Sequence, residues 1–190
     1  MNIEYDTYYQ TENLFGEPYP ELLKFYASLL QKGKLLDLGC GQGRDALALA
    51  NLGFEVTGID HSKVGIDQLN QIAQKNGLVI NGIVGNIYEY FKFDQFEFIL
   101  LDSMFHFGKR DLEKETKLLQ KIFNSAKPNT LITICIQNTG KKLQILNSII
   151  SNTKILEIMH SEDFKYTFTD KESNHSSVTN YKMMTLRKLE

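Results

Sequence analysis

Apolar residues in this chain fall into two arrangements that alternate along it: short continuous runs, and sets spaced three or four residues apart. The runs predict strands and the spaced sets predict helices. A helix opens at Pro20 and carries Leu22, Phe25, Tyr26, Leu29 and Leu30 to a stop at Gly33. A first strand, with Leu35, Leu36 and Leu38, runs into glycines at 39, 41 and 43, then into the helical stretch ALALANLG with its C-cap at Gly53. FEVTGID (54–60) is a second strand ending on a carboxylate. Ser62 caps a helix bearing Val64, Ile66, Leu69, Ile72 and Ala73, which stops at Asn76-Gly77. A third strand over 78–84 leads into Gly85-Asn86-Ile87.

The runs FEFILL (96–101) and LITICI (131–136) are continuous enough for strands buried on both faces. Between them Asp111 caps a helix with Leu112, Leu118, Leu119, Ile122 and Ala126 turned inward, ended ahead of Pro128. Residues 141–150 are helical, 155–159 begin a sixth strand, 171–177 form a polar loop, and a last strand covers 181–186. Such alternation calls for an α/β fold, a doubly wound and mostly parallel sheet of seven strands. The final two strands are close enough to make an antiparallel hairpin at one edge. Residues 1–20, with Tyr5, Tyr8, Tyr9, Phe15 and Tyr19, show no long period and read as an arm lying on the domain.

Composition narrows the class. At 190 residues the chain is expected to form one domain, 1–190. A net charge of −2, with acids interspersed among the lysines, supplies no clustered basic face for a nucleic acid. Cys40 and Cys135 are the two cysteines and form no CxxC, which excludes a disulfide framework and a cysteine-rich zinc site and suits a reducing compartment. The first residues lack the basic and apolar regions of a secretory signal, and no apolar run reaches the roughly 20 residues of a membrane span. A cytoplasmic protein without a membrane partner is expected. His160 and His175 have no partner spacing of a metal site, so no metal is expected.

Glycines at 39, 41 and 43 allow a backbone to pass close to a ligand, and strand, glycine turn and helix together make the nucleotide-binding corner of a doubly wound fold. The spacing is G-x-G-x-G, with Arg44 where a dinucleotide fingerprint has its third glycine, and no Walker P-loop is present. Asp60, at the end of the second strand, is placed to accept hydrogen bonds from both ribose hydroxyls of an adenosine.

LLDLGCGQGRDALALANLGFEVTGID resembles motif I and the following acidic position of class I S-adenosylmethionine-dependent methyltransferases. Within them the chain is most similar to the small-molecule branch around the tellurite-resistance and thiopurine-methyltransferase-like enzymes. The resemblance is strong over 35–60, fair over 78–137 and thin at both ends. It implies a Rossmann-like fold, S-adenosylmethionine as cofactor and S-adenosylhomocysteine as product. It further implies that Asp37 fixes the loop and helps hold the methionine amino group. Gly39, Cys40 and Gly41, with Gly43 in the same turn, line the methionine and ribose side. Asp60 binds the ribose hydroxyls and His61 flanks the adenine. Asn86 followed by Ile87 stands where the family usually has an aspartate for the adenine amino group, and an asparagine oxygen can still accept that bond. Leu101 and Asp102 match the segment whose backbone faces the sulfonium end.

Methyl transfer from a sulfonium is an in-line displacement for which positioning supplies much of the rate, so neither a metal nor a covalent nucleophile is required. Cys40 is read as a small lining residue. His106, just after the fourth strand, is the best base where the acceptor must lose a proton, the alternative being a histidine packed among Phe105 and Phe107. Tyr5, Tyr9 and Tyr19 make either a lid over the cofactor or an arm packed on the domain. The chain has no N/D-P-P-aromatic segment after strand four, no spare cysteines for a metalloid and no large insertion, which favours a small-molecule acceptor. Two other readings stand beside this one, a non-catalytic S-adenosylmethionine-binding regulatory protein and a nicotinamide-dependent oxidoreductase. The sequence leaves acceptor atom, pathway and oligomeric state open.

Overall fold

The computed structural model describes residues 5–11, 14–170 and 175–189. It contains a seven-stranded sheet, mostly parallel, with two antiparallel strands from the C-terminal part of the chain. The chain divides into two compact units, 1–89 and 90–190.

The first unit holds α1 (Tyr5–Tyr8), α2 (Pro20–Ser28), β1 (Lys34–Leu38), α3 (Arg44–Asn51), β2 (Glu55–Asp60), α4 (Lys63–Asn76) and β3 (Ile80–Val84). Its strands pair in parallel in the order β3-β2-β1. Leu35, Leu36 and Leu38 are fully buried, as a continuous run between two covered faces requires. The helix signals at 43–53 and 62–77 hold. Ser62 Oγ accepts the Gly65 N–H at 3.1 Å, and Gly53 and Gly77 take left-handed φ of 95° and 64° just past the two helices.

One stop differs from expectation. Helix α2 ends at Ser28 rather than Gly33, because Leu29 turns extended and the Lys32 ammonium donates to the carbonyls of Tyr26 (2.6 Å) and Leu29 (2.8 Å). Leu30 therefore lies outside the helix and is fully exposed. Ile72 is likewise half out of the core, leaving Ile66, Leu69 and Ala73 to bury α4. Strand β3 has an exposed face, and Asn70 secures it: its amide accepts from the Gly82 N–H (2.9 Å) and donates to the Gly82 carbonyl (3.0 Å).

The second unit holds β4 (Phe98–Asp102), α5 (Leu112–Ser125), β5 (Leu131–Gln137), α6 (Gly140–Ser151), β6 (Leu156–Asp170) and β7 (His175–Lys188), with strand order β4-β5-β7-β6. The expected hairpin exists, but β7 inserts between β5 and β6 and both strands are much longer than their apolar cores. Residues 171–174, part of the expected loop, lie outside the described residues, while 175–177 already belong to β7. Asp111 sits at the N-cap of α5 without a side-chain cap bond; its carboxylate pairs with Lys114 at 2.7 Å. Leu112 is exposed, and Glu115 takes the inward place instead.

Candidate functional site

In the first unit, β1 delivers the chain into a turn in which Gly39, Gly41 and Gly43 all adopt positive φ of 76°, 53° and 85°. A side chain would be strained at each, so the glycine spacing has a backbone cause. The turn is bolted to β2: the Gly39 and Cys40 N–H groups donate to the Ile59 carbonyl at 2.8 and 3.2 Å. Gly39 is nevertheless exposed, leaving its backbone open to a ligand, whereas Gly41 and Gly43 are buried.

Asp60 closes the arrangement. It is 6% exposed, and its two oxygens accept the Gly41 N–H (3.0 Å) and the Ser62 N–H (2.9 Å). One carboxylate thus joins the glycine turn to the start of α4. The exposed His61 ring stands 3.5 Å from the same carboxylate. Asp37 is buried beneath the turn. Cys40 is buried too, and burial, then the charges of Asp37 and Asp60, push its thiol well above the ordinary range. A thiol held protonated is no nucleophile. Asn86 is exposed and locally engaged, accepting from the Tyr88 N–H (3.1 Å) and donating to Glu89 (2.8 Å), with Ile87 half-buried beside it. Arg44 lies 4.6 Å over the Tyr19 ring and pairs with Asp45 at 2.8 Å, so the position of a third glycine is spent on packing.

The arm is fastened to this corner by residues that carry no sequence signal. Gln42, inside the glycine turn, donates to the Thr11 carbonyl (2.8 Å) and accepts from the Leu14 N–H (3.0 Å). Gln68 of α4 donates to the Tyr9 carbonyl at 2.8 Å. Tyr9 is buried against Gly41, where an added Cβ would meet its hydroxyl at 2.5 Å. Tyr19 is buried under Arg44, and the Tyr5 side chain lies outside the described residues. Of the expected lid, Tyr9 reaches the glycine turn, and Tyr19 is buried under Arg44 at the start of α3.

Asp6 completes the fastening by accepting from the Ser62 hydroxyl (2.5 Å) and the Val64 N–H (3.2 Å). These bonds, the hydroxyl's first, lower its pKa. A depressed carboxylate supports docking above its ordinary pKa and loses that support as pH falls through the lowered value. The protection of the Val64 amide, its exchange rate relative to that of an unstructured peptide at the same pH, is therefore expected to fall in acid below the usual carboxylate range. Asp6→Asn should flatten that dependence, and an identical profile in the variant would show that Asp6 does not hold the arm.

In the second unit, β4 ends at buried Leu101 and half-buried Asp102, and the chain turns at once, with Ser103 at φ 54° and Phe107 at φ 49°. Glu115, 2% exposed on α5, accepts the N–H groups of His106 (3.2 Å) and Phe107 (2.6 Å) and fixes this loop. Phe105 and Phe107 stack on each other, 5.6 Å apart and nearly coplanar in orientation, and are buried. His106 is exposed rather than packed between them. The alternative of a histidine packed among Phe105 and Phe107 is not met: the two rings pack on one another. Among the described residues no cluster of metal-ligating side chains occurs, and no helix is long and apolar enough to cross a membrane.

Residues 1–183 match the family model described as "Tellurite resistance protein TehB". The chain belongs to the TehB family. A TehB relative from Haemophilus influenzae, named "Probable S-adenosyl-L-methionine-dependent methyltransferase TehB", is 36% identical over 85 residues, 45% of this chain and 30% of that protein. A ubiquinone biosynthesis O-methyltransferase from Rickettsia typhi is 30% identical over 132 residues, 69% of this chain and 52% of that one. The chain thus spans between about a third and a half of the curated relatives it matches. The crystal structure of TehB from Haemophilus influenzae aligns with a TM-score of 0.71 at 21% identity, covering 97% of this chain and 67% of that one. A structure from work on conversion of a disulfide bond into a thioacetal group during echinomycin biosynthesis aligns at 0.76, again at 21% identity, covering 100% and 93%. The TehB-family fold and the alternation of helices and strands seen here agree.

Proposed function

We propose that this TehB-family chain transfers the methyl group of S-adenosylmethionine to a small-molecule nucleophile and releases S-adenosylhomocysteine. The observation that carries the reading is the glycine turn tied by Asp60 at the carboxyl end of β2. Each carboxylate oxygen accepts one backbone bond there and has a second lone pair left for a ribose hydroxyl. In this reading Asp37, Gly39, Cys40, Gly41 and Gly43 line the methionine and ribose side. His61, Asn86 and Ile87 flank the adenine, and Leu101 and Asp102 face the sulfonium end. The Asn86 oxygen would exchange its bond to Tyr88 for one to the adenine amino group or share it between the two. The names of the relatives support the same chemistry. Residues 1–190 act as one methyltransferase domain, and two buried free thiols suit a cytoplasmic setting.

In this reading the residues have two tasks: to hold the cofactor's polar groups and to present the acceptor in line. His106 is exposed on a loop that Glu115 holds rigid, which suits a base for acceptors that must lose a proton. Titration with S-adenosylhomocysteine tests the cofactor, and S-adenosylhomocysteine formation with a panel of hydroxyl, thiol and amine nucleophiles tests the transfer. Failure to bind either S-adenosylmethionine or its product would end the reading. His106→Asn is expected to lower kcat by about 10²-fold or more for a protonated acceptor. Product affinity should not change. A variant with the parent's kcat for such an acceptor would take His106 out of the chemistry.

A further inference from the structure

Strand β3 brings a second turn to the end of β2, within the same unit. Asp60 pairs in register with Val84, and the Gly85 N–H donates to the Asp60 carbonyl at 2.8 Å. Asn86 is therefore the first residue past the tie between β3 and the residue that clamps the glycine turn. The chain then doubles back: the Glu89 N–H donates to the Asn86 carbonyl at 3.0 Å, which returns the Glu89 side chain to Asn86. The Asn86 amide is held at both ends. Its nitrogen donates to Glu89 Oε1 at 2.8 Å, and its oxygen accepts the Tyr88 N–H at 3.1 Å. Both side chains are exposed.

These partners dictate the orientation of the amide. An ionised carboxylate only accepts and a backbone N–H only donates, so the nitrogen belongs on Glu89 and the oxygen on Tyr88. Turned over, the amide would set its oxygen against a carboxylate and its N–H against another N–H. Orientation matters because asparagine, unlike an aspartate, has two different ends to offer. Oxygen outward, it accepts from an amino group; nitrogen outward, it donates to a carbonyl. An aspartate reads a 6-amino purine whichever way it lies, whereas an asparagine reads it only when it is held. The two holds are not equal. The Tyr88 bond falls on the oxygen that the base's amino group would take, while the Glu89 bond falls on the nitrogen and persists.

We propose that Glu89 is a specificity-determining positioning residue: by holding the Asn86 nitrogen it keeps the Asn86 oxygen toward the base, so that the site selects a 6-amino purine over a 6-oxo purine. The inference rests on the methyl-transfer reading, which sets the adenine beside Asn86, and adds to it a residue that acts through another side chain. Half of the selectivity is repulsion. Against a 6-oxo base the fixed Asn86 oxygen meets a second acceptor, and no proton lies between them. Because Glu89 works through the orientation of one amide, its replacement changes the ratio of two affinities rather than their common level.

The test titrates the full chain by calorimetry with S-adenosylhomocysteine and with S-inosylhomocysteine, which has a 6-oxo group in place of the 6-amino group and a proton on N1. The parent is expected to bind the amino compound about tenfold or more tighter. Glu89→Gln should narrow that preference, because its amide satisfies Asn86 either way round. Glu89→Lys should erase or reverse it, since an ammonium only donates and draws the Asn86 oxygen to itself. Asn86→Asp has no orientation to lose, so adding Glu89→Lys to it should leave the ratio of the two affinities as it is in Asn86→Asp alone. A merely structural role for Glu89 lowers both affinities together and leaves their ratio unmoved. The inference is overturned if the parent binds the two compounds equally, if Glu89→Lys keeps the parent's ratio, or if the ratio moves as far in the Asn86→Asp background. In each of these cases S-adenosylhomocysteine still binds the parent and the methyl-transfer reading stands. A parent that binds neither compound strikes that reading, and the role of Glu89 falls with it.

Discussion

Asp60→Ala is expected to weaken S-adenosylhomocysteine binding tenfold or more, equivalent to about 1.4 kcal/mol, while also lowering stability by about 1–3 kcal/mol. The two effects have separate origins in one carboxylate. Stability falls because the N–H groups of Gly41 and Ser62 lose a buried acceptor. Affinity falls because the second lone pairs that would receive the ribose hydroxyls vanish with the same atoms. Asp60→Asn divides the two. It keeps one acceptor oxygen but turns an amide N–H toward a backbone N–H, so one of the two clamps is lost and the negative charge goes with it. Its stability should fall between parent and alanine variant, with binding still impaired. Calorimetric titration together with urea denaturation separates the terms. A folded Asp60→Ala protein that binds the product as tightly as the parent would remove Asp60 from the cofactor site and leave it as a structural clamp.

What could be read from the sequence was local. Strand, glycine turn and helix follow one another within 35–53, each with its own signal, and Ser62 and Gly77 mark α4 by chemistry that acts over a few residues. The unread parts depend on partners far along the chain. Gln42 and Gln68 hold the arm through side-chain bonds to backbone atoms 28 to 59 residues away, and glutamine at a polar position has no period to reveal that. Glu115 is the plainest case. A charged residue at helical spacing from Leu118, Leu119 and Ile122 reads as surface, yet two loop N–H groups make its burial favourable, and Leu112 is displaced outward. Strands β6 and β7 outrun their apolar cores because each half of the ribbon supplies the other's backbone bonds, so polar residues such as Thr167 and Ser177 suffice there.

Gly65→Ala is expected to be the most damaging single methyl group in the first unit, costing about 3 kcal/mol and at least a factor of ten in product affinity. A Cβ at Gly65 would lie 2.8 Å from the Gly41 carbonyl oxygen and 3.0 Å from its carbon, with Tyr9 at 3.1 Å. The first two obstacles are backbone of the glycine turn, which cannot rotate aside. Helix α4 must therefore back away, taking with it Ser62, its bond to Asp60 and the Asp6 fastening. Gly58→Ala makes the informative contrast. Its Cβ would meet Cys40 Sγ at 2.8 Å and Leu69 at 3.2 Å, both side chains. It should cost about 1–2 kcal/mol, and the double variant with Cys40→Ala should regain most of it, since the thiol, held protonated by burial, contributes no chemistry. No comparable rescue exists for Gly65, because Tyr9→Ala removes the farthest of its three obstacles and leaves the carbonyl in place. Thermal melts of the two single variants and the two double variants distinguish the cases. A Gly65→Ala protein with the parent's melting temperature and product affinity would mean that α4 can shift without disturbing the carboxylate at the end of β2, and the tight seat of Gly65 on Gly41 would then have no part in shaping the site.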